Sequence, residues 1–167
     1  RGRETMYKVH HDCGYYIVNK SHILSLRCEN ANDRYPVNSI VDISVEDYLK
    51  LPQSYRDPDM PHLCGYRVPI HFKKQPLEDD PYFVGHLNNG VLPENVIKNG
   101  ISERLEVLAG IIDAHGNNYD YYYDIWSDNE ERVMQIVYLA RSLGLFCKYN
   151  YNENYQLWQL ELFGPIL

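Results

Sequence analysis

The sequence predicts an α+β fold, because short β-type segments fill its first half and helical patterns alternate with strand patterns in its second. Hydrophobic residues make up 44% and charged residues 23% of the 167 positions, which excludes a wholly disordered or collagen-like chain. No apolar run approaches the roughly 18–20 residues needed to cross a bilayer, so we expect no membrane partner.

The first half is predicted to be β-structure joined by turns. Strands are expected where β-branched and aromatic residues lie between turn-forming residues. They cover residues 6–10, 15–18, 22–26, 37–43 and 66–72. Ser44, three residues before Asp47, can cap a short helix that Pro52 ends. The stretch 53–81 is rich in proline and charge and is expected to be a connector that includes the last strand.

Helices and strands alternate in the second half. Residues 101–113 carry apolar side chains at helical spacing, and residues 121–126 have the composition of a strand. The segments 145–151 and 155–163 flank a polar turn and predict a β-hairpin at the end of the chain.

A second helix is predicted between the single strand and the hairpin. It is expected to begin with a capping box, either Ser127 with Glu130 or Asp128 with Glu131, and to stop at Gly144. Its apolar stripe is predicted to comprise Val133, Ile136, Val137, Ala140 and Leu143.

Charge is unevenly distributed along the chain, whose net charge is −7. Residues 1–80 carry 11 basic and 12 acidic side chains, whereas residues 81–167 carry 5 basic and 11 acidic ones. Because a nucleic-acid surface uses basic groups to replace the counterions of phosphate, the second half lacks the composition expected for DNA binding. Its helical basic residues are expected to be surface charges: Lys98, Arg104, Arg132 and Arg141.

The four cysteines are widely spaced and never form a C-x-x-C unit. This argues against a disulfide scaffold and favours a reducing, intracellular location. A zinc site built from residues 10–13 with Cys28 or Cys64 is not favoured, because the ligand spacing lacks the usual pairs.

Two segments of the second half carry a family resemblance. Residues 108–116 read LAGIIDAHG and resemble the LAGLIDADG motif of homing endonucleases at seven of nine positions. Residues 80–90 read DPYFVGHLNNG and resemble the first of the two such motifs in the DOD-type endonuclease domain of inteins, with one residue missing. The family packs its two motif helices face to face, and Ala109 and Gly110 are small enough for a close approach. The resemblance implies an acidic residue at the helix end, beside Mg²⁺ and a DNA phosphate.

The first half resembles the splicing domain of inteins, which is of the Hint type. Residues 16–26 read YIVNKSHILSL, in which Asn19 and His22 fill the N-x-x-H unit of a splicing motif. Residues 42–51 and 65–69 resemble the passage from splicing domain to endonuclease. The resemblance implies that His22 protonates the leaving amide nitrogen at the upstream splice junction, and that Asn19 holds the same peptide by hydrogen bonds. Splicing of this kind needs no cofactor.

Both acid positions of the endonuclease motifs are replaced. His115 stands where LAGLIDADG has its catalytic carboxylate, and Asn89 stands at the matching position of the first motif. Mg²⁺ prefers hard oxygen ligands, for which an imidazole is a poor substitute. Asp113 lies two residues before His115, on a different side of the helix end, so it is not expected to replace the missing carboxylate. No metal ligand is therefore predicted. Any remaining endonuclease activity would still need Mg²⁺.

The spacing of the motifs also departs from the family. Residues 91–107 alone separate them, which is too short for a half-domain of helices and strands. Between Gly116 and the helix near Asp128 we expect one strand where the family has a hairpin. We therefore expect one of the two DNA-binding sheets to be largely absent and the endonuclease to be inactive.

The sequence is accordingly identified as an intein fragment. Residues 1–75 are expected to be the N-terminal part of an all-β Hint-type splicing domain, and residues 76–167 a shrunken, degenerate LAGLIDADG endonuclease domain of the α+β class. The chain begins at Arg1 and ends at Leu167 without splice-junction residues, so we expect a fragment that does not splice alone. Its partners would be the flanking extein host protein and the missing intein segments.

Two alternatives stay open. The chain could be an active, site-specific homing endonuclease for double-stranded DNA, as a monomer or a dimer, with Asp113 or Asp120 holding the metal. It could instead be a non-catalytic scaffold that supports the splicing fold. Double-stranded DNA is a partner only in the first case.

Overall fold

The α+β class predicted from the sequence is confirmed in a computed structural model that describes residues 3–11, 14–57 and 61–164. Within those residues the chain forms five α-helices and three antiparallel sheets, and none of the sheets closes into a barrel. The chain divides into two compact units, Arg1–Tyr66 and Arg67–Leu167. None of the described helices is long and apolar enough to span a bilayer.

Five strands of the first unit form two small sheets. They are β1 (Met6–His11), β2 (Gly14–Asn19), β3 (Ile23–Cys28), β4 (Ile40–Ser44) and β5 (Leu63–Cys64). β1 and β2 form an antiparallel hairpin, and β3 lies at the centre of a sheet with the order β4-β3-β5. The first four strands lie where β-branched and aromatic residues predict them. Asp12 and Cys13, which stand between β1 and β2 in the sequence, lie outside the described residues.

The strand predicted over residues 66–72 is wrong, because the structure assigns no strand to these residues. Pro69 has no amide proton to give to a strand ladder. Ile70 donates its amide to the carbonyl of Ser142 at 2.8 Å, and its own carbonyl accepts from the guanidinium of Arg104. The backbone hydrogen bonds of this segment therefore go to a helix end and a buried arginine.

The first unit contains one short helix, α1 (Val45–Lys50). It begins at Ser44, whose hydroxyl accepts a hydrogen bond from the Asp47 amide at 3.1 Å, so the predicted cap is confirmed. The helix ends before Pro52, as predicted, and a single 3₁₀ turn follows at Gln53–Arg56.

The core of the first unit is small. Its fully buried members come from the three-stranded sheet and from the residues that follow α1, and are Cys28, Leu51, Tyr55 and Leu63. The β1–β2 hairpin adds nothing to it: no described residue of these two strands is fully buried, and Ile17 is 59% exposed. An isolated two-stranded hairpin is only marginally stable in water. A further element that covered the exposed apolar side chains of this hairpin would stabilise it.

The second unit is a layer of helices packed on one four-stranded sheet. Its helices are α2 (Pro81–Leu87), α3 (Glu94–Ile97), α4 (Ile101–His115) and α5 (Glu130–Ser142). Its strands are β6 (Gly116–Asn118), β7 (Tyr123–Ser127), β8 (Phe146–Asn152) and β9 (Leu157–Phe163), in the sheet order β6-β7-β9-β8. Apolar residues of α3, α4 and α5 join those of β7 and β9 in one continuous core. The two predicted helices, the strand and the C-terminal hairpin are thus confirmed.

The expectation of a single strand before α5 is wrong. β6 pairs with β7 in antiparallel register, with Gly116 opposite Ile125 and Asn118 opposite Tyr123. The Tyr119 amide donates to the Tyr122 carbonyl at 2.9 Å, and the two rings stack at 4.9 Å, which closes the turn. The short strand was missed because its two asparagines have low β-propensity.

The buried stripe predicted for α5 is confirmed, since all five of its apolar members are buried. Gly144 follows the helix with φ +82°, a conformation that a glycine adopts without strain, so the predicted stop is also confirmed. The predicted capping boxes are wrong, because the N-cap is Asn129, whose side chain accepts from the Arg132 amide at 3.1 Å.

Two buried polar residues fix the start of the second unit. Arg104 is fully buried and donates from Nε to the Asn99 carbonyl and from Nη1 to the Ser142 carbonyl, each at 2.9 Å. Its third partner is the Ile70 carbonyl. Asn99, also fully buried, exchanges two hydrogen bonds with the backbone of Gln75, at 2.9 and 3.1 Å. The prediction of Arg104 as a surface charge is wrong.

Candidate functional site

The two segments that resemble paired motifs form α2 and α4, which pack against each other through two glycines. A Cβ atom on Gly85 would overlap the carbonyl oxygen of Val107, and one on Gly110 would overlap the carbonyl oxygen of Tyr82. Each glycine thus lies against the carbonyl three residues before the other glycine, so the contact is reciprocal. The backbones approach too closely for any larger residue at either position. Ala109, the other small residue expected at the contact, lines a cavity beside Asp113.

The positions expected to carry acids lie where these two helices end. His115 is the last residue of α4 and is half-buried, whereas Asn89 lies just beyond α2 and is exposed. Asn88 caps the end of α2, and its side chain accepts from the Gly90 amide at 2.7 Å. The two predicted positions therefore lie at the ends of paired helices, but neither supplies a carboxylate.

Asp113 is exposed and already has a partner on the other helix. The Tyr82 hydroxyl donates to its Oδ2 atom at 2.9 Å, and this hydrogen bond raises the pKa of Tyr82. The Asp113 carboxylate also borders a cavity of about 300 Å³, whose wall includes Asn118 and Tyr123. Asp120 is exposed in the turn between β6 and β7 and does not line that cavity.

Arg132, which is predicted from the sequence to be a surface charge, is buried beside the end of α2, so that prediction is wrong. Arg132, near the start of α5, is only 4% exposed. Its Nη1 atom donates to the carbonyl of Gly90 at 2.9 Å and to that of Asn88. The helical spacing predicts this burial, because Arg132 stands four residues before the buried Ile136 and seven before the buried Leu139, on the same face of α5. The same holds for Arg104, in phase with Leu108 and Ile111 on α4.

His115 lies within the electrostatic influence of a permanent positive charge, that of Arg132. Burial lowers the pKa of His115, and the positive charges of Arg132 and His86 lower it further. Three nitrogen atoms in this group are buried without a hydrogen-bond partner among the described residues: His86 Nδ1, His115 Nε2 and Arg132 Nη2. No acidic side chain bonds to Arg132 in the described part of the chain.

This set of donors does not fit Mg²⁺. That ion requires several hard oxygen ligands in octahedral geometry, whereas the groups present are two imidazoles, an amide and a guanidinium. A permanent positive charge at the same point repels a cation. Within residues 3–11, 14–57 and 61–164, no group of three or more histidine, cysteine or acidic side chains could hold a metal ion.

The face of the sheet opposite the helices is not basic. Asp124, in the centre of β7, accepts hydrogen bonds from Trp126 Nε1 at 2.6 Å and from Gln159 Nε2 at 3.0 Å. Its cross-strand neighbour is Glu161, which in turn lies opposite Lys148. Two carboxylates and one ammonium at its centre do not give this face the positive potential that duplex DNA requires.

Asn19 and His22 of the first unit are brought together by one turn between β2 and β3. The His22 amide donates to the Asn19 carbonyl at 3.3 Å. The Asn19 side chain accepts from Ser21 Oγ and donates to Glu4 Oε1, both at 3.2 Å. The exposed imidazole of His22 meets the ring of Tyr16 edge to face, with centroids 6.1 Å apart. The turn therefore presents a histidine at the surface beside an asparagine whose amide is oriented by two partners.

No protein-family model matches this sequence, and a comparison with curated proteins found no significant match. Any function assigned to the chain therefore rests on its own residues and their geometry.

Proposed function

We propose that this chain is an intein fragment that acts in autocatalytic protein splicing and carries a LAGLIDADG endonuclease domain that has lost its activity. The single observation that carries the proposal is the reciprocal contact of Gly85 and Gly110, which pairs the two segments that resemble the motif. A chance resemblance of two short segments gives no reason for them to meet at equivalent glycines.

The loss of endonuclease activity follows from the charge at the helix ends. Cleavage of DNA by this family needs a carboxylate on each motif to hold Mg²⁺. Here the two positions are Asn89 and His115, and the buried Arg132 lies beside them. A site of this composition repels the cation that would activate water or stabilise the leaving oxygen.

The DNA-binding surface is also reduced. Residues 91–100 between the motifs contain α3 and no strand, so α2 has no sheet of its own in the described part of the second unit. On the face of the four-stranded sheet opposite the helices, the buried Asp124 lies beside the half-buried Glu161. Because phosphate contacts provide most of the affinity for duplex DNA, we expect weak binding.

The first unit supports a splicing role through the turn that holds Asn19 and His22. A histidine side chain can act as the general acid that protonates the amide nitrogen that leaves when a cysteine or serine attacks the upstream carbonyl. The oriented amide of Asn19 can hydrogen-bond the same peptide. The exposed apolar surface of the β1–β2 hairpin fits a domain that further intein segments complete. The flanking host protein is then the partner, and no cofactor is required.

The test is expression of the chain within its natural reading frame. Joined flanking sequences and an excised intein are the expected products. His22→Ala should slow cleavage at the upstream junction, whereas His10→Ala, which removes another exposed histidine of the same unit, should not. Equal products from both variants would contradict the role of His22. Linear DNA after incubation with the purified chain and Mg²⁺ would favour the active endonuclease instead.

A second candidate is a scaffold for the splicing fold. It is favoured by the continuous apolar core of the second unit, which is kept although the site at the helix ends cannot hold a metal. Deleting residues 81–167 from the full reading frame should then abolish splicing. Normal splicing after this deletion would exclude the scaffold.

A further inference from the structure

We propose that the guanidinium of Arg132 takes the electrostatic place of a divalent cation where α2 and α4 end, and so keeps the site closed to metal even if its acids are restored. The comparison with a metal rests on the proposed function. The stabilising role of Arg132 does not, because it follows from contacts within this chain.

The guanidinium of Arg132 lies where α2 ends. The carbonyl groups at the end of a helix have no partner within it and bear a partial negative charge. Asn88 and Gly90 follow α2, and Arg132 Nη1 donates to both of their carbonyls. Arg132 therefore stabilises the end of α2 with a permanent positive charge.

The same positive charge also acts on the end of α4. Burial lowers the pKa of the His115 imidazole, and the positive charge of Arg132 lowers it further. Arg132 Nη2 and His115 Nε2 are both buried and lack a hydrogen-bond partner among the described residues. An aspartate at position 115 would therefore find a donor ready beside it.

An aspartate at position 115 would form an ion pair with Arg132. A carboxylate next to a buried guanidinium forms a charge-assisted hydrogen bond, which is stronger than a neutral one. Mg²⁺ would have to break that bond and approach a like charge. Restoring acids at positions 89 and 115 should thus give an ion pair with Arg132 rather than a metal site.

A second contact shows that α5 is placed to hold this segment. Gln135, one turn after Arg132, accepts from the Leu92 amide at 2.6 Å and donates to the Leu92 carbonyl at 2.9 Å. Two side chains of one helix therefore fasten the loop between α2 and α3. The loop is held without any group from outside the chain.

The experiment compares Mn²⁺ and Mg²⁺ binding by three variants of the full chain, through the shift in Tm at constant ionic strength and through Mn²⁺ relaxation of NMR signals. The variants are Asn89→Asp/His115→Asp, the same pair with Arg132→Gln, and the same pair with Arg141→Gln. Arg141 is the matched control, an exposed arginine of the same helix whose guanidinium also donates to a carbonyl, that of Cys147 at 3.2 Å.

Only the variant without Arg132 should show a saturable rise in Tm with metal, and only there should Mn²⁺ broaden the signals of residues 89 and 115. Metal binding by the double variant would overturn the proposal. So would the same result for both triple variants, whether both bind metal or neither does. Arg132→Gln alone should lower the Tm by about 5 °C or more, whereas Arg141→Gln should change it little. Equal Tm values for these two variants would also overturn it.

If Arg132→Gln variants do not fold, the unchanged protein still gives a test. Its signals for Asn89 and His115 should not broaden with Mn²⁺, and broadening there would contradict the proposal. These measurements use metal binding and Tm and not DNA cleavage or splicing. A failure of the proposed function would leave their outcome unchanged.

Discussion

Gly85 and Gly110 each lie against a backbone carbonyl of the other's helix, so that α2 and α4 meet through main-chain atoms. Side chains contribute to the rest of the interface, but the closest approach depends on the lack of a Cβ at these two positions. The contact explains why a short helix of seven residues holds a fixed place beside a helix of fifteen.

Replacement of either glycine should therefore be severe. Gly110→Ala places a methyl group against the Tyr82 carbonyl and should lower the free energy of unfolding by about 3 kcal/mol or more. Gly90→Ala is the control, since its Cβ would meet only a side-chain oxygen of Asn88 at 3.4 Å. Urea unfolding measures both, and similar midpoints for the two variants would contradict the tight helix pairing.

Stability should fall as the pH falls below the ordinary pKa of histidine. Burial and the charges of Arg132 and His86 lower the pKa of His115 in the folded protein, so the unfolded chain binds a proton more readily. The neutral form is present in both states above about pH 6.5, and the loss grows as the pH falls from there through the lowered value.

Urea unfolding from about pH 8 to about pH 5 checks this dependence. His115→Gln should reduce the dependence, because glutamine does not titrate. His71→Gln, a change at an exposed histidine of the same unit, should leave it unaltered. A slope that is the same in both variants would show that His115 is not its source.

Arg104→Met should destabilise the second unit by about 3 kcal/mol, because the carbonyls of buried Asn99 and Ser142 and of exposed Ile70 lose their donor. Arg141→Met, at an exposed position on α5, should cost far less. Hydrogen exchange gives a local readout: the Ile70 amide, which bonds to Ser142, should lose protection in the first variant alone. Retained protection would mean that Arg104 does not fix this segment.

Asp113→Asn should lower the pKa of Tyr82 toward its ordinary value. The hydrogen bond to the Asp113 carboxylate is the main cause that raises the Tyr82 pKa, and an amide removes the negative charge. NMR titration of the labelled tyrosine ring measures the change. Asp120→Asn, which alters an acid of the neighbouring turn, should have no effect on Tyr82.

The parts of the fold that follow from local patterns were predicted from the sequence. The buried stripe of α5, its stop at Gly144 and the C-terminal hairpin are all visible in the spacing of apolar residues and turn formers. The short strand β6 was not predicted, because a glycine and two asparagines carry no strand signal and its pairing depends on β7.

The site was predicted only in part, for a different physical reason. The positions of Asn89 and His115 at helix ends follow from the motif spacing, but the charge that surrounds them does not. Arg132 bonds to carbonyls more than 40 residues away in the chain, and arginines on helices are usually solvent-exposed. The spacing of residues along a helix indicates which face is buried. It does not indicate which distant carbonyls will bind an arginine on that face.

The contacts of Arg104 and Asn99 set where the second unit can be separated from the first by genetic excision. A shortened protein that began at residue 76 would lack the carbonyl of Ile70 and both backbone partners on Gln75. It would leave a fully buried guanidinium and a fully buried amide short of hydrogen bonds. A shortened protein that folds must therefore begin before Ile70, because residues 70–75 provide backbone partners for Arg104 and Asn99.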